Sequence, residues 1–309
     1  MRLCTFRLRG EGSERSRVGS VSGRRITELE EHVSMSEFIE RKGRVGVAGE
    51  VHDVEEAVLQ APLRPGKIIA AIVNTRGMLG GKDVKPDRPR LDMKAPSCVV
   101  GPGEAVIGTE SGIRPEVELA AVVGRRLTHS SVREAREAIF GYTVLNDVTA
   151  PSESREDAYE AYRRDSSTGR LTKVTLRGPL FRSKNHDTFC PMGPWIVTRD
   201  ELEDTSDLRM ESRFDGVKVQ DGSTADYIFS PEQIASYVSS FLTLEPGDVI
   251  SCGSVGWTER AVGRLDPSEF VLPRSDGMME LKIEGIGRLL NPVRYGGATW
   301  GTRSSRGAS

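Results

Sequence analysis

The chain is poor in the features that would send a protein out of the cell, into a bilayer or onto nucleic acid. Its four cysteines, Cys4, Cys98, Cys190 and Cys252, form no C-x-x-C pair and show no Cys/His spacing suited to zinc. They read as reduced thiols of a cytoplasmic protein. The longest apolar runs, such as IIAAIV at 68–73, fall far short of the roughly 20 residues needed to span a membrane. A basic stretch from Arg7 to Arg25 precedes neither an apolar h-region nor a small-residue cleavage site, so no secretory signal is expected. Charge of one sign is also missing: 43 basic residues face 45 acidic ones, for a net charge of -2. Such a balance gives no global field for nucleic acid or an anionic surface, which leaves a small molecule as the expected partner. A chain of 309 residues buries enough core to fold without disulfide or metal staples, so stability is not the reason for any metal site.

What is present reads mostly as β. Residues 1 to about 60 alternate short apolar segments with charge, with a hairpin turn at Ser22 and Gly23. The prolines and glycine of APLRPG at 61–66 discourage helix and central strand alike. The organisation expected is a small N-terminal β domain over 1–62, a larger domain over 63–295, and a disordered Gly- and Ser-rich tail over 296–309. In the larger domain KIIAAIV, EVELAAVVG, GYTVLND, PWIVT, VKVQDG, DVISCG and LKIEGIG are strand segments bounded by turn residues. Two helices are expected. One follows Ser131 with Glu134 in capping-box spacing and ends near Gly141, and the other starts at Ser230, Pro231 and Gln233. The fold class is α+β, mostly β, because strands do not alternate evenly with helices as in a Rossmann fold or an eight-stranded barrel. Two stretches, 76–90 and 152–173, fit no regular element and are long enough to be lids.

The chemistry concentrates in PEVELAAVVG. Residues i and i+2 of a strand share a face, so Glu116 and Glu118 project together from an otherwise apolar strand. Uncompensated carboxylates there would cost several kcal/mol, and something positive should meet them. Asp147 closes the apolar strand YTVLND as a third carboxylate. Three oxygen ligands with positions left for water and substrate suit Mg²⁺, Mn²⁺ or Ca²⁺ better than zinc. Taken by itself, Glu-x-Glu equally fits the wet face of an exposed strand.

The order of motifs from Met1 to Arg294 resembles the fumarylacetoacetate hydrolase superfamily. The carrying segments are PGKIIAAIVN (65–74), KAPSCVVGPGEAVI (94–107), RPEVELAAVVG (114–124), GYTVLNDVTA (141–150), KNHDTFCPMGPWIVT (184–198), VQDGSTADYIF (219–229), LEPGDVISCGS (244–254) and IEGIGRLLNPV (283–293). The resemblance implies a mixed β-roll catalytic domain behind a small N-terminal domain, usually as a homodimer. It also implies Mg²⁺ or Mn²⁺ on Glu116, Glu118 and Asp147. It maps an active-site lysine onto Lys184, with Thr188 near the metal, Gln220 on the substrate side, and Gly253 and Ser254 facing the reacting oxygens. The Gly-rich turn at 253–256 could supply an oxyanion hole or merely connect strands. Without the resemblance, Lys184 would read as a surface lysine, and Gln220 as a hairpin residue beside an Asp221–Gly222 turn.

Three departures bear on the reaction. Hydrolases of the superfamily use a lid histidine shortly after the Asn of the KIIxVxxN strand, whereas TRGMLGGKDVKPDRPR follows Asn74 here and offers Arg76, Lys82, Asp83 and Lys85. Where the family often has an arginine four residues after the aspartate that helps bind a substrate carboxylate, this chain has Pro151, so that either Arg155 substitutes or the substrate differs. His186 stands where the family usually has phenylalanine; on a strand it would share a face with Lys184, either as a replacement base or as a hydrogen-bonded histidine with no catalytic part. The expected function is metal-dependent action on a 1,3-dicarbonyl or 2-oxo acid through a bound enolate, with carbon–carbon hydrolysis the commonest family outcome. Decarboxylation, tautomerisation, dehydration and cyclisation need no water-activating pair and remain open, as does a non-catalytic metal-binding descendant.

Overall fold

Apolar segments bounded by Gly, Pro, Asn and Asp become strands throughout the computed structural model, which describes all residues except 12–14, 30–32, 42–48, 80–84, 264–268 and 297–309. The expected tail therefore falls almost wholly outside the described residues. In chain order the strands are β1 (Arg2–Leu8), β2 (Arg17–Ser22), β3 (Arg25–Glu28), β4 (Val51–Asp53), β5 (Ala57–Leu59), β6 (Ile68–Ile72), β7 (Arg90–Lys94), β8 (Val99–Val100), β9 (Val106–Ile107) and β10 (Val117–Val123). They continue with β11 (Ile139–Asn146), β12 (Tyr159–Arg164), β13 (Leu171–Leu176), β14 (Cys190–Thr198), β15 (Arg209–Phe214), β16 (Val217–Ser223), β17 (Val249–Ser254), β18 (Gly277–Ile283) and β19 (Gly287–Arg294). The helices are α1 (Met35–Glu40), α2 (Val132–Ala138), α3 (Glu153–Glu156), α4 (Phe181–Lys184), α5 (Pro231–Ser239) and α6 (Glu259–Val262). The class is α+β, mostly β.

Twelve strands form one mixed sheet whose main path runs β4-β3-β2-β1-β14-β11-β10-β17-β6-β7. Parallel pairing joins β17 to β6, and β8 pairs parallel with β14 off that path. A second sheet, β16-β15-β18-β19-β9, packs against it. Strand alternation sorts the β10 side chains between two cores. Val117, Leu119, Ala121 and Val123 meet Met210, Phe214 and Leu281 of the second sheet. Ala120 and Val122 point the other way, into a core shared with Leu3, Phe38 and Ile196. With both faces covered, β10 is buried from end to end, which is why it reads as a continuous apolar run. The N-terminal segment extends the large sheet, since β1 pairs with β14 through Leu3 and Ile196.

Capping boxes start α2 at Ser131 and α5 at Ser230. Helix α2 stops at Ala138, earlier than Gly141, because Ile139 is already extended and opens β11. The stretch over 152–173, which fitted no regular element in the sequence, is the turn of α3 followed by the hairpin β12–β13, which pairs with no other strand among the described residues. All four cysteines are free and buried, and burial pushes the Cys4 and Cys190 thiols up to about 12. Among the described residues, no helix is long and apolar enough to cross a membrane.

Candidate active site

Glu116 lies immediately before β10, Glu118 is its second residue, and Asp147 immediately follows β11. These antiparallel neighbours are in register at Val117 and Asn146. Asp147 N–H donates to the Glu116 carbonyl at 2.9 Å, and Asn146 Oδ1 accepts from Glu116 N–H at 3.0 Å. The pairing register thus brings a residue 31 positions away in sequence beside the Glu-x-Glu pair. One carboxylate oxygen from each residue lies within 4.8 Å of the others, and all three residues are buried.

Cations flank two of the three. Lys184 Nζ donates to Glu116 Oε2 at 2.7 Å and to Asp147 Oδ2 at 2.5 Å. Arg114 holds Glu116 Oε1 at 3.0 Å and stacks on Trp257. Lys94, 1% exposed, donates to the Lys184 carbonyl and sits 2.8 Å from Asp147 Oδ1, an electrostatic contact outside hydrogen-bond alignment. Glu118 is held by neutral donors, Ser251 Oγ at 2.5 Å and Gly253 N–H at 3.0 Å.

The electrostatics follow this arrangement. Burial pulls the Lys184 ammonium down, but Asp147, Glu116 and Glu118 together outweigh it and raise its pKa above that of an ordinary lysine. Burial likewise works against Asp147, yet Lys184 and Lys94 hold its carboxyl below the usual range. Glu118, buried and facing two other carboxylates, is pushed up to about 8. Among the described residues, no cation makes a direct ion pair with Glu118. A divalent ion fits that lack: oxygens around Mg²⁺ sit roughly 3 to 4 Å apart, so small side-chain rotations would bring this set to coordination spacing.

A cavity of about 290 Å³ opens above the triad and Lys184, walled by Ala71, Ile72, Val73, Met78, Arg155 and Arg177, with Ser254 at its base. Val73 has φ +54°, a strained conformation for a β-branched residue. It is followed by Asn74, whose side chain is bound to the Cys252 carbonyl and to both backbone groups of Phe229. The chain after Asn74 passes over the site through Met78. Lys82 and Asp83 lie outside the described residues.

Several expected residues stand elsewhere. Lys184 and His186 are not strand neighbours, because Lys184 ends the turn of α4. His186 does not line the cavity; its Nε2 lies 2.6 Å from the buried Glu153, and its ring rests on Phe189. Thr188 is turned aside, accepting from Ile107 N–H. Gln220 is fully buried within β16, outside the cavity wall. Its Oε1 accepts from Val117 N–H and Ser212 Oγ, while Nε2 donates to Ser254 Oγ and the Val255 carbonyl, so it braces β10 and Ser254 from behind. Gly253 N–H, considered for an oxyanion hole, is occupied by Glu118. Arg155 does reach the cavity wall. Sequence reasoning gave no role to Lys94, Arg114 or Arg177, although Arg114 is two residues from Glu116, as Glu116 is from Glu118.

The model of the fumarylacetoacetate hydrolase C-terminal domain matches residues 67–294. The chain belongs to the fumarylacetoacetate hydrolase family. Members similar to it include 2,4-didehydro-3-deoxy-L-rhamnonate hydrolase of a Sphingomonas species, 33% identical over 72% of this chain and 71% of the relative. An oxaloacetate tautomerase of Bacillus subtilis is 32% identical over 79% of this chain and 75% of its own. Among solved structures, fumarylacetoacetate hydrolase from Exiguobacterium antarcticum superposes with a TM-score of 0.77 at 28% identity, covering 96% of this chain and all of its own. Family membership makes the chain an enzyme of this superfamily, whose members here include a hydrolase and a tautomerase, and sets aside the non-catalytic reading.

Proposed function

We propose that the enzyme takes a small 2-oxo acid or 1,3-dicarbonyl compound and moves a proton at the carbon beside its carbonyl, with Mg²⁺ or Mn²⁺ on Glu116, Glu118 and Asp147. The observation that carries this reading is the meeting of three buried carboxylates and one buried ammonium at the floor of a single cavity. The ion would supply Lewis-acid polarisation of the carbonyl. A general base, for which Asp83 is the candidate, takes the proton from the carbon, while Lys184, kept protonated by its carboxylate neighbours, stabilises the negative charge that develops on the substrate oxygen. Gln220 and Gly253 keep Ser254 and Glu118 in place, and Arg155 draws a substrate carboxylate to the wall.

Return of the proton to oxygen or carbon makes the turnover a keto–enol exchange, which requires no activated water. Carbon–carbon hydrolysis is the second reading, favoured by the likeness to the Sphingomonas hydrolase. It requires a base for water, for which Asp83 is the candidate, since His186 is tied to Glu153 away from the cavity. We further propose that the enzyme works in the cytoplasm as a homodimer, a state that sedimentation would read directly.

The test is turnover of acylpyruvates, oxaloacetate and other β-dicarbonyls in chelator, then with Mg²⁺ restored. Decay of the enol absorbance without new products marks tautomerisation, and two carboxylic fragments mark hydrolysis. Turnover indifferent to metal would end this reading. Glu118→Ala is expected to lose Mg²⁺ binding with the fold retained; unchanged affinity in calorimetry contradicts the ligand assignment.

A further inference from the structure

Lys94 has no part in the chemistry proposed above, yet it is the most deeply buried cation of the site. Its side chain is 1% exposed, against 11% for Lys184 and Arg114. It is the last residue of β7, and the chain around it clamps the turn that carries Lys184. Lys94 Nζ donates to the Lys184 carbonyl, Ala95 N–H donates to Asn185 Oδ1 at 2.5 Å, and Asn185 Nδ2 donates to the Met93 carbonyl at 3.3 Å. Among the described residues, Asp147 is the one carboxylate paired with Lys94, its Oδ1 lying 2.8 Å from Nζ. A neutral donor would hold the Lys184 carbonyl as well, so the charge itself needs a reason.

That charge opposes a metal ion. Lys184 faces Asp147 Oδ2 at 2.5 Å while Lys94 faces Oδ1, so both oxygens of this ligand meet an ammonium. A cation fixed beside a ligand weakens its attraction for another cation, most strongly where water is excluded. With Lys94, Lys184 and Arg114 set against Glu116, Glu118 and Asp147, the floor carries no net negative charge to draw an ion in. A divalent ion would leave two positive charges in excess, which the carboxylate and enolate oxygen of a 2-oxo acid offset.

Resting on the metal-bound enolate reading above, we propose that Lys94 is a positioning residue whose charge keeps Mg²⁺ loosely held by itself and makes the ion and the substrate anion bind as a pair. Each partner then raises the affinity of the other by the same factor, as linkage requires.

Calorimetric Mg²⁺ titrations of wild type, Lys94→Met and Lys94→Gln, each with and without saturating pyruvate, test this, with thermal melts to establish that each variant folds. Wild type is expected to bind Mg²⁺ at least about tenfold more tightly when pyruvate is present, a coupling of ordinary size. Removing the charge should tighten binding of Mg²⁺ alone by about threefold or more and cut the pyruvate effect to about threefold or less. Lys94→Gln keeps a donor for the Lys184 carbonyl, which makes it the gentler change, and should behave as Lys94→Met does. Damage to the fold would weaken Mg²⁺ binding, so the sign of the change separates charge from mere support. Three results overturn the role of Lys94: wild-type affinity unmoved by pyruvate, variants that bind Mg²⁺ more weakly with the pyruvate effect intact, or a Lys94→Gln that matches wild type. Exchange of the pyruvate C3 protons into D₂O, followed by NMR, reads the parent proposal separately. Paired binding without exchange refutes enolisation alone, whereas a wild type that binds no Mg²⁺ under either condition ends the metal reading and this role together.

Discussion

Replacing Gly253 by alanine tests the link between backbone conformation and the metal ligands. Gly253 has φ +100°, and a Cβ there would lie 2.7 Å from Asn74 Cβ and 3.2 Å from the Ala71 carbonyl oxygen. The conformational penalty for an L-residue is about 1–2 kcal/mol, and crowding in a packed site costs about 1–3 kcal/mol more. A loss of about 2–5 kcal/mol lowers the melting temperature by roughly 5–10 °C in a protein of this size. Gly253 N–H also holds Glu118 Oε2 at 3.0 Å. Shifting it removes a hydrogen bond to a charged group, worth about 1.5–3 kcal/mol, so Mg²⁺ affinity should fall about tenfold or more. Thermal melts in chelator and calorimetric Mg²⁺ titration read the two effects separately. Gly256→Ala is the control, since its Cβ would meet nothing within 4 Å. A Gly253→Ala protein that melts within about 1 °C of wild type and binds Mg²⁺ unchanged refutes the reasoning.

Lys184→Met leaves Glu116 and Asp147 without the ammonium that both contact; in chelator it should destabilise by about 3–5 kcal/mol, with Mg²⁺ recovering part of the melting temperature and kcat still reduced at least about 100-fold. A variant as stable and active as wild type removes Lys184 from the chemistry. Glu118 gives a pH prediction. Its folded pKa of about 8 lies above its unfolded value, so the metal-free folded state holds the extra proton. That contribution is fully present below about pH 4.5 and is lost as pH rises through about 8, by at most about 1.4 kcal/mol per pH unit. Melts of metal-free wild type against Glu118→Gln between pH 5 and 8 should converge or cross accordingly. Mg²⁺ binding at pH 7 should release about one proton, seen as a dependence of the calorimetric heat on buffer ionisation enthalpy; no such dependence would show Glu118 already ionised.

The strand segments and the shared face of Glu116 and Glu118 were legible through local rules, the two-residue repeat of a strand and the turn residues that bound it, whereas the joining of Asp147 to that pair as a ligand set rested on the resemblance to the superfamily. What escaped depends on contacts distant in sequence. Lys184 was expected on a strand with His186, but Asn185 turns the chain there by accepting from Ala95 N–H and donating to the Met93 carbonyl, some 90 positions away. Two Asp-Gly pairs follow one another in the β15–β16 region. The hairpin turns at Asp215 and Gly216, both with positive φ, whereas Gly222 lies inside β16 against Val255. Read without the resemblance, Gln220 was therefore a turn residue, and with it a residue on the substrate side; its side chain braces β10 and Ser254. Lys94 gave no local sign, since its burial is created by Asp147, just past β11, and Lys184, at the end of α4. Arg114 did carry one, because the spacing that pairs Glu116 with Glu118 also reaches back to it.

At the base of the ribbon formed by β12 and β13, Gly178 lies against Asp157 and Arg182 grips Asp157 and Glu156. The ribbon's outer length contributes nothing to the floor of the site. Shortening its tip, or exchanging it for a ribbon of another composition, should leave the carboxylates undisturbed while changing what surrounds the entrance. That makes it a natural graft position for redirecting the enzyme toward other acids.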